Sequence, residues 1–436
     1  MRWVFFPLDE ELKLLAGAFT PSVVERIVRL GTWMPFVSVT EGLAYFSKVT
    51  VSEPTVRRKT EEAGQAYVAV QTAQVAVIER DHPAAPAGPA IQQLSVDGAM
   101  VPLVHKEWGE VKTLAVGVVG PPVVNTTTGE REVHSTELSY FSRLSDHETF
   151  SRLATVETQR RGTETAGIVC AVNDGAEWEQ GFVDDHRPDA VRILDWGHGA
   201  EHVSEVGRAV FGRETPGATT WRTEHLTELK TGDPARVLAD LRQLCADLTT
   251  GAQPGGEADA LKVVTTNLEY FAKRRDQICY AAFVQAGYPI GSGAVESGNK
   301  LLVEARLKGS GMPWAPEHVN PMVALRTVAC NDRWDEAWPQ IVDRLRAQGV
   351  AHSATRRAAR STARVGGVDT APALAGASRT AAVPPVAAPA TPVAAASPAL
   401  VSPGTASTNK GPSKPAANHP WRRLSIGRTR QEQLAY

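Results

Sequence analysis

The sequence predicts an α/β protein in which a mixed-sheet domain is interrupted by an all-helical insertion. Three observations lead to this fold class. Apolar runs of β character lie between about residues 91 and 203, helical patterns flank them on both sides, and the composition turns to Ala, Pro and Ser near the end. A chain of 436 residues is longer than one ordinary core supports, so two or three structural units are expected.

Residues 1–90 predict a helical DNA-binding region. In TPSVVERIVRLG, Thr20 is a candidate N-cap, Pro21 suits the first helical position, and Gly31 ends the apolar periodicity. SVTEGLAYFSK, the short break VTV and SEPTVRRKTEEAG follow, which is the layout of a helix-turn-helix with a basic second helix. Any two-helix hairpin with an exposed basic face has the same pattern. The DNA contacts predicted on the second helix are Thr55, Arg57, Arg58 and Lys59.

The following segment changes to a strand pattern. IQQLSVDG, TLAVGVVG and ELSYFSRL are three β-type runs separated by turns, and a helix is expected through DHETFSRLATVETQRRG. GIVCAVNDG and AVRILDW are short apolar runs typical of strands that are covered on both faces. Three closely linked strands, a helix and further buried strands indicate a mixed sheet.

Helical patterns return over about residues 203–287, where Asp233-Pro234 begins one helix and NLEYFAKRRDQICYAAF forms another. The predicted mixed-sheet domain spans residues 91–346 including this insertion, and the Ala/Pro-rich stretch from 347 to 436 is expected to be disordered. Residues 351–436 contain eleven Lys and Arg but only two acids, which gives this segment a net charge of +9. The preceding 350 residues have a net charge of −11. A basic tail favours a polyanionic partner, although a solvated tail without function has the same composition.

Cysteine usage and hydropathy favour a reducing, aqueous compartment. The four cysteines occur far apart and without a CxxC pair, which argues against a disulfide framework or a cysteine zinc site. MRWVFFPLDEELKLL lacks the apolar core of a signal peptide, and no apolar stretch has membrane-spanning length. We expect a cytoplasmic protein.

Asp-Gly-Ala recurs after two apolar runs, in QLSVDGAMV and CAVNDGAEW. A carboxylate inside a strand covered on both faces would need a partner, so Asp97 and Asp174 are expected at strand ends, where Gly98 and Gly175 turn the backbone away. Both acids would then project from one edge of one sheet. Asp-Gly is also a common turn dipeptide, which is the alternative interpretation of each site.

A third acid, Glu296, lies among glycines in GYPIGSGAVESGNKLLVEARLKG, where small neighbours let a metal ion or polyanion approach. Arg306 and Lys308 follow on the same predicted helix and could neutralise phosphates. The alternative is an acid that only benefits from the helix dipole. Three hard oxygen ligands favour Mg²⁺ or Mn²⁺ over zinc, and two such ions can promote an in-line phosphoryl displacement. Paired acids also serve glycosidases, but a helix-turn-helix and a basic tail favour a nucleic-acid phosphodiester as substrate.

DWGHGAEH carries the remaining candidates. Asp195 ends the strand run AVRILDW, and His198 and His202 share a face if a helix begins there. A zinc site at these residues would lack a fourth ligand. We therefore expect His198 to brace the edge of the active site through hydrogen bonds, and His202 to lie on a solvated helix face.

Together these motifs resemble those of bacterial DDE transposases, specifically the ISKra-type insertion-sequence family within the wider Mutator-like and hAT-like group. The resemblance covers roughly residues 3–345 and rests on FFPLDEELKLLAGAFTP, LGTWMPF, VSEPTVRRKTEEAG, SVDGAMV, VNDGAEW, ILDWGHGAEHV and GYPIGSGAVESGNK. It implies an RNase H-like catalytic domain that contains an all-helical insertion. Related proteins often carry a cysteine-rich segment ahead of the helical region; this sequence has none, so a shortened copy is expected.

The resemblance also assigns roles to residues. In the wider group the first acid ends the first strand, the second follows the fourth strand, a Cys or Asp two residues before a His comes next, and a glutamate follows the insertion. These positions correspond to Asp97, Asp174, Asp195 with His198, and Glu296. Strand order favours Asp174 over Asp195 as the second catalytic acid. Asp97, Asp174 and Glu296 are then the expected catalytic residues and the ligands of two Mg²⁺ or Mn²⁺ ions, with Asp195 and His198 as auxiliary residues.

The implied function is metal-dependent DNA cleavage at transposon ends and strand transfer into target DNA. The expected partners are double-stranded DNA, as terminal inverted repeats and as target, and further copies of the chain, because joining two ends calls for a homodimer or larger assembly. The expected location is the bacterial cytoplasm, in association with the nucleoid. The alternatives are a DNA-binding regulator or catalytically inactive transposase relic, and a general nuclease of the same fold.

Overall fold

Five strands form one mixed sheet, as the computed structural model describes it over residues 19–127, 129–213, 215–250, 257–309 and 312–365. The strands are β1 (Ile91–Pro102), β2 (Trp108–Val119), β3 (Ser135–Leu144), β4 (Ile168–Asn173) and β5 (Val191–Leu194). Their order in the sheet is β3-β2-β1-β4-β5. The β1–β2 and β2–β3 pairs are antiparallel, whereas the β1–β4 and β4–β5 pairs are parallel. A two-residue ribbon, Val123–Val124 with Arg131–Glu132, lies in the β2–β3 connection.

Helices surround this sheet and precede it. Among the described residues they are α1 (Pro21–Trp33), α2 (Phe36–Gly42), α3 (Glu53–Asp81), α4 (His147–Arg160), α5 (Glu177–His186), α6 (Trp196–Phe211), α7 (Pro216–Thr231), α8 (Pro234–Thr250), α9 (Glu257–Lys273), α10 (Tyr280–Ala286), α11 (Gly293–Asn299), α12 (Pro316–Cys330) and α13 (Trp334–Val365). None of these helices is both long and apolar enough to cross a bilayer.

The predicted α/β class and mixed sheet are confirmed, and each of the five apolar runs falls in one strand. β4 illustrates why the short runs were informative. Its central residues, 169–172, are at most 2% exposed. Val169 and Ala171 pack on one face with α4 and α5, while Cys170 and Val172 pack on the other with the helices after β5. A strand covered on both faces needs apolar side chains on both, which removes the usual alternation.

Asp97 lies inside β1, so the prediction that it ends a strand is wrong. The hairpin of β1 with β2 continues to the pair Pro102–Trp108, whereas the parallel ladder of β1 with β4 has its last pair at Leu94–Ala171. At Asp97, β1 is therefore paired with β2 on one side but with no strand on the side of β4. Asp174 does follow the last residue of β4, as predicted.

The region before the sheet has the predicted order of helix, break and helix. α2 continues as a π-helical turn, Leu43–Ser47, and α3 follows after a five-residue break, 48–52. α3 is 29 residues long, and at Gly64 it passes so close to α12 that a Cβ would lie 2.3 Å from the carbonyl oxygen of Pro321. Apolar residues of α1–α3 share one core with β1, β2 and α11. Of the motif FFPLDEELKLLAGAFTP, the residues before Phe19 lie outside the described residues.

Helices α6–α10 form the helical block, which packs against β4 and β5. Their shared core includes Cys170 and Val172 from the sheet and Val203, Val264 and Phe271 from the block. The block begins at Trp196, earlier than the predicted residue 203, and its last predicted helix is divided in two. α9 ends at Lys273 and α10 begins at Tyr280, because burial of Ile278 and Tyr280 overrides the local helical periodicity.

After the block, α11 passes through a π-helical turn, Lys300–Glu304, into the short helix Ala305–Leu307. α13 then extends to Val365, so the disordered tail expected from residue 347 does not begin there. Trp334, Ala337 and Ile341 pack the first part of α13 against the core of α1 and α3, and the helix continues from this anchored part past residue 347. The residues after Val365 lie outside the described part of the chain.

Candidate metal centre

The parallel pairing of β1 and β4 brings Asp97 and Asp174 to the same edge of the sheet. β4 ends at Asn173, whose side-chain Oδ1 accepts a hydrogen bond of 2.8 Å from the backbone N–H of Val96. This bond extends the ladder by one step with a side chain in place of a backbone carbonyl. The next residues are Asp97 in β1 and Asp174 directly after β4. Their carboxylates therefore leave neighbouring strands side by side.

Glu179 joins these two acids. Single oxygen atoms of Asp97, Asp174 and Glu179 lie within 4.8 Å of one another. Glu179 is in the first turn of α5, and its Oε2 accepts hydrogen bonds from the backbone N–H groups of Gly175 at 3.0 Å and Ala176 at 3.1 Å. The prediction did not include Glu179. Its signal was local: a glutamate in the third position of a helix reaches back to cap the residues before it.

Asp97 is held in a defined orientation within this site. Asn299 Nδ2 donates to its Oδ2 at 2.8 Å, and the backbone N–H of Gly98 donates to its Oδ1 at 2.6 Å. Burial raises the pKa of Asp97, the hydrogen bond from Gly98 lowers it, and the negative charge of Asp174 raises it further. The net result is a pKa above that of an ordinary aspartate, chiefly because burial penalises the charged carboxylate.

Glu179 is more strongly perturbed. It is 1% exposed, and burial, followed by a hydrogen bond with Asp174 and the charge of Asp174, raises its pKa to about 10. Buried carboxylates that repel one another can both ionise if a cation lies between them. A divalent cation would supply that charge, and carboxylate oxygens are the ligands that Mg²⁺ and Mn²⁺ prefer. Asp97, Asp174 and Glu179 could therefore hold a metal ion.

The helical block holds the turn that carries Asp174. The hydroxyl of Tyr270 donates to the backbone carbonyl of Asp174, and Arg274 Nη2 donates to that of Gly175 at 2.5 Å. Burial raises the pKa of Tyr270, so its phenol stays protonated and remains a donor. Gly175 has φ +89, a left-handed conformation that glycine adopts without strain. The prediction that the chain turns at Gly175 is thus confirmed, and the block that was predicted only as an insertion contacts the site.

Glu296 does not belong to the set of oxygens within 4.8 Å, which corrects its predicted place among the three ligands. It is exposed on α11, and its Oε1 accepts a hydrogen bond of 3.2 Å from Ser292 at the start of its own helix. It lies one turn before Asn299, and its charge contributes to the raised pKa of Asp97. Glu296 is therefore near the centre, whereas Glu179 occupies the third position.

Asp195 braces the site and has both oxygens engaged. Oδ2 accepts from the backbone N–H of His198 at 2.8 Å, and Oδ1 accepts from that of Ser292 at 2.6 Å. It therefore ties the start of α6 to the loop before α11. This arrangement supports Asp174, rather than Asp195, as the second acid of the centre.

The two histidines of α6 face the block instead of solvent. The rings of His198 and His202 are 4.9 Å apart, and His202 stacks on Tyr270 at 3.9 Å. Its Nδ1 is 2.6 Å from Asn267 Oδ1, and burial lowers its pKa. The prediction that His202 lies on a solvated helix face is wrong, because α9 covers that face.

Two of the residues predicted to bind DNA on α3, Arg57 and Arg58, are exposed, whereas Thr55 and Lys59 are half-buried. Arg57 pairs with Glu53 at 3.3 Å, and Lys59 pairs with Glu62 at 3.0 Å. Arg58 is 64% exposed and lies 4.0 Å from Glu62. The hydroxyl of Thr55 is 2.9 Å from that of Ser52, next to the helix start. The pairs of Arg57 and Arg58 are exposed and therefore weak, so they do not prevent these two cations from meeting a phosphate. The side chain of Lys59 is only 16% exposed.

Arg306 is buried, which removes it from the predicted DNA contacts. It is 2% exposed, and its guanidinium lies 4.8 Å from the ring of Phe36 and 5.2 Å from that of Trp314. Burial lowers its pKa to about 10. Its basic character was visible in the sequence, but the packing of α2 over it was not. Lys308 remains accessible and pairs with Glu304 at 2.8 Å.

No protein-family model matches the chain, and no curated protein matches it significantly. The functional interpretation therefore depends on the geometry of the site and on the motifs of the sequence.

Proposed function

We propose that this protein is a DNA transposase that uses divalent metal ions to cleave DNA at the ends of its element and to transfer the ends into target DNA. The observation that carries the proposal is the convergence of Asp97 and Asp174, from adjacent parallel strands, with Glu179. Carboxylates gathered at one sheet edge suit metal-assisted phosphodiester chemistry.

Two correspondences support an RNase H-like fold as the finer description of the sheet. The resemblance calls for a first acid at the end of the first strand and a second acid after the fourth. Asp174 directly follows β4, and Asp97 is on β1, although inside this strand and not at its end. It also calls for a helical insertion between the second acid and a glutamate. The helical block, 196–286, lies in the chain between Asp174 and Glu296.

In the proposed centre, Asp97, Asp174 and Glu179 hold one Mg²⁺ or Mn²⁺ ion. Glu296 is proposed as an acid of a second ion, because Asn299 of the same helix contacts Asp97. Bound there, the ions would lower the pKa of an attacking water or hydroxyl and stabilise charge on the leaving oxygen. The protein's own groups set the geometry: Asn299 orients Asp97, and Glu179 holds the amides of the turn after Asp174.

Phosphate binding is assigned to the exposed face of α3 and to Lys308. Contacts from Arg57, Arg58 and Lys59 to phosphates would be largely independent of base sequence and would weaken steeply with salt. The proposed substrates are duplex terminal repeats and duplex target DNA. Pairing of two ends would require at least a homodimer.

Incubating labelled terminal-repeat duplexes with the protein and Mn²⁺ or Mg²⁺ tests the proposal. Wild type should nick at the repeat ends and EDTA should stop the reaction. Asp97→Asn should abolish nicking but retain the DNA in a gel-shift assay. Glu177→Gln is the matched control, because Glu177 lies near Glu179 in sequence but is 86% exposed and pairs with Lys273. Its nicking should equal that of wild type.

Three outcomes would redirect the interpretation. Wild-type nicking by Asp97→Asn would remove Asp97 from the centre. DNA retention by wild type without nicking would favour the DNA-binding regulator or inactive relic. Cleavage without preference for terminal repeats and without joining would favour a general nuclease.

A further inference from the structure

The turn at residues 174–176 is held by hydrogen bonds on two sides. On one side Glu179 accepts from the amides of Gly175 and Ala176. On the other, Tyr270 and Arg274 donate to the carbonyls of residues 174 and 175. The backbone groups of the turn are thus used by side chains from two different elements, α5 and the end of α9. Such pairing restricts the turn to one conformation.

Tyr270 and Arg274 also support each other. The guanidinium of Arg274 lies 3.8 Å from the centroid of the Tyr270 ring, and Nη1 donates to the backbone carbonyl of Tyr270 at 3.1 Å. His202 stacks on Tyr270 and contacts Asn267, so the pair is fixed within the block. A cation on an aromatic face and a stacked ring both reduce rotamer freedom.

Close approach at Gly175 indicates that the turn and the pair are fitted to each other. A Cβ at this position would lie 2.4 Å from Arg274 Nε and 3.0 Å from the Tyr270 hydroxyl. Glycine suits the left-handed backbone at this position, and a larger residue would displace the side chain of Arg274 from the turn.

We propose that Tyr270 and Arg274 are positioning residues of the metal centre: by gripping the carbonyls of the 174–175 turn, they hold the Asp174 carboxylate towards Asp97 and Glu179. Both residues act through the backbone of the turn. The inference rests on the proposed function, because it assumes that these carboxylates bind metal. It adds a role for the helical block, which then supports the site from residues almost a hundred positions away.

Groups that orient metal ligands typically change metal affinity by about 10- to 100-fold when removed. Tyr270→Phe deletes one hydroxyl and keeps the ring that stacks on His202 and Arg274. We expect it to weaken Mn²⁺ binding by about tenfold. Arg274→Met, which keeps much of the aliphatic stem, should have an effect of similar size.

Tyr280→Phe is the matched control. Tyr280 belongs to the same block and is 0% exposed, but its hydroxyl has no hydrogen-bond partner among the described residues. The substitution removes the same atom from a buried tyrosine without releasing the turn. Its Mn²⁺ affinity should stay within about twofold of wild type, well below the tenfold effect expected of an orienting group.

The measurement is a calorimetric titration of the full chain with Mn²⁺ in the absence of DNA, supported by the Mn²⁺ dependence of nicking. Tyr270→Phe should need about tenfold more Mn²⁺ for half-maximal nicking and regain its maximal rate at high Mn²⁺, which a folding defect would not allow. Equal affinities of Tyr270→Phe and Tyr280→Phe would overturn the inference, as would a wild type that binds no Mn²⁺. Expected affinities without any DNA cleavage would instead leave the inference standing and refute the transposase function.

Discussion

Replacing Glu179 with Gln examines the charge balance of the candidate metal centre, because the change keeps the size of the side chain but removes an ionisable group. The glutamine retains an oxygen that can accept from the amides of Gly175 and Ala176, so the start of α5 is preserved. Its amide N–H groups can donate to the neighbouring carboxylate of Asp174. The variant therefore isolates the effect of ionisation.

The magnitude follows from the raised pKa of Glu179, about 10 in the folded state against 4.5 for the ordinary side chain. Between these values the unfolded chain has released the proton and the folded protein still holds it. The contribution of protonated Glu179 to the free energy of unfolding is thus fully present below pH 4.5 and is lost as the pH rises towards 10. The slope is about 1.4 kcal/mol per pH unit, so up to about 4 kcal/mol is lost between pH 5 and 8.

The assay is urea unfolding of metal-free protein in EDTA at several pH values. The stability of Glu179→Gln relative to wild type should grow by up to about 4 kcal/mol from pH 5 to 8. Mn²⁺ at a hundred times its dissociation constant should stabilise wild type by about 2.7 kcal/mol and the variant by less. Glu177→Gln, at an exposed position, should show no comparable growth. A difference between Glu179→Gln and wild type that is constant with pH would refute a buried, protonated Glu179.

Two further predictions concern the proposed DNA-binding surface and the stability of the protein in acid. Arg58→Ala should reduce the magnitude of the slope of log K against log[KCl] for DNA binding by about 1. Arg306→Met should leave the slope unchanged, since Arg306 is buried. Equal slopes for the two variants would contradict the assignment of Arg58 as a phosphate contact. Burial lowers the pKa of His186 to about 4. The contribution of the neutral His186 ring to the free energy of unfolding is therefore fully present above pH 6.5 and is lost as the pH falls towards 4. Urea unfolding should show wild type losing about 3 kcal/mol relative to His186→Gln over that range, and parallel curves would refute it.

Much of the sheet and part of the candidate site could be predicted from the chain alone. β4 was recognisable because burial on both faces demands an unbroken apolar run, and Asp174 was recognisable because an Asp-Gly turn ended that run. The position of Asp97 was harder to predict. Whether β1 stops or continues depends on the length of its partner β2, and the local pattern carries no information on that pairing.

Arg306 and Glu179 show the same limit for side chains. Arg306 is a residue type that often contacts phosphate, but the rings of Phe36 and Trp314 enclose it. Phe36 lies 270 residues earlier in the chain. Glu179 has the residue type and position of a helix-capping glutamate, and in the fold it also lies next to the carboxylates of Asp97 and Asp174. Exposure and proximity are properties of the packed chain, so residue type indicates only what a group could do.

The amino-acid sequence by itself determined the α/β class, the five strands in their chain order, and the two Asp-Gly phrases that carry Asp97 and Asp174. These features depend on periodicity and turn chemistry, which act over a few residues. Only the tertiary structure decided that Glu179 lies with Asp97 and Asp174, that Glu296 stands apart from them, and that Tyr270 and Arg274 grip the turn. The physical reason is that these relations depend on how α5, α9 and α11 dock on the sheet, and docking is set by contacts between residues far apart in the chain.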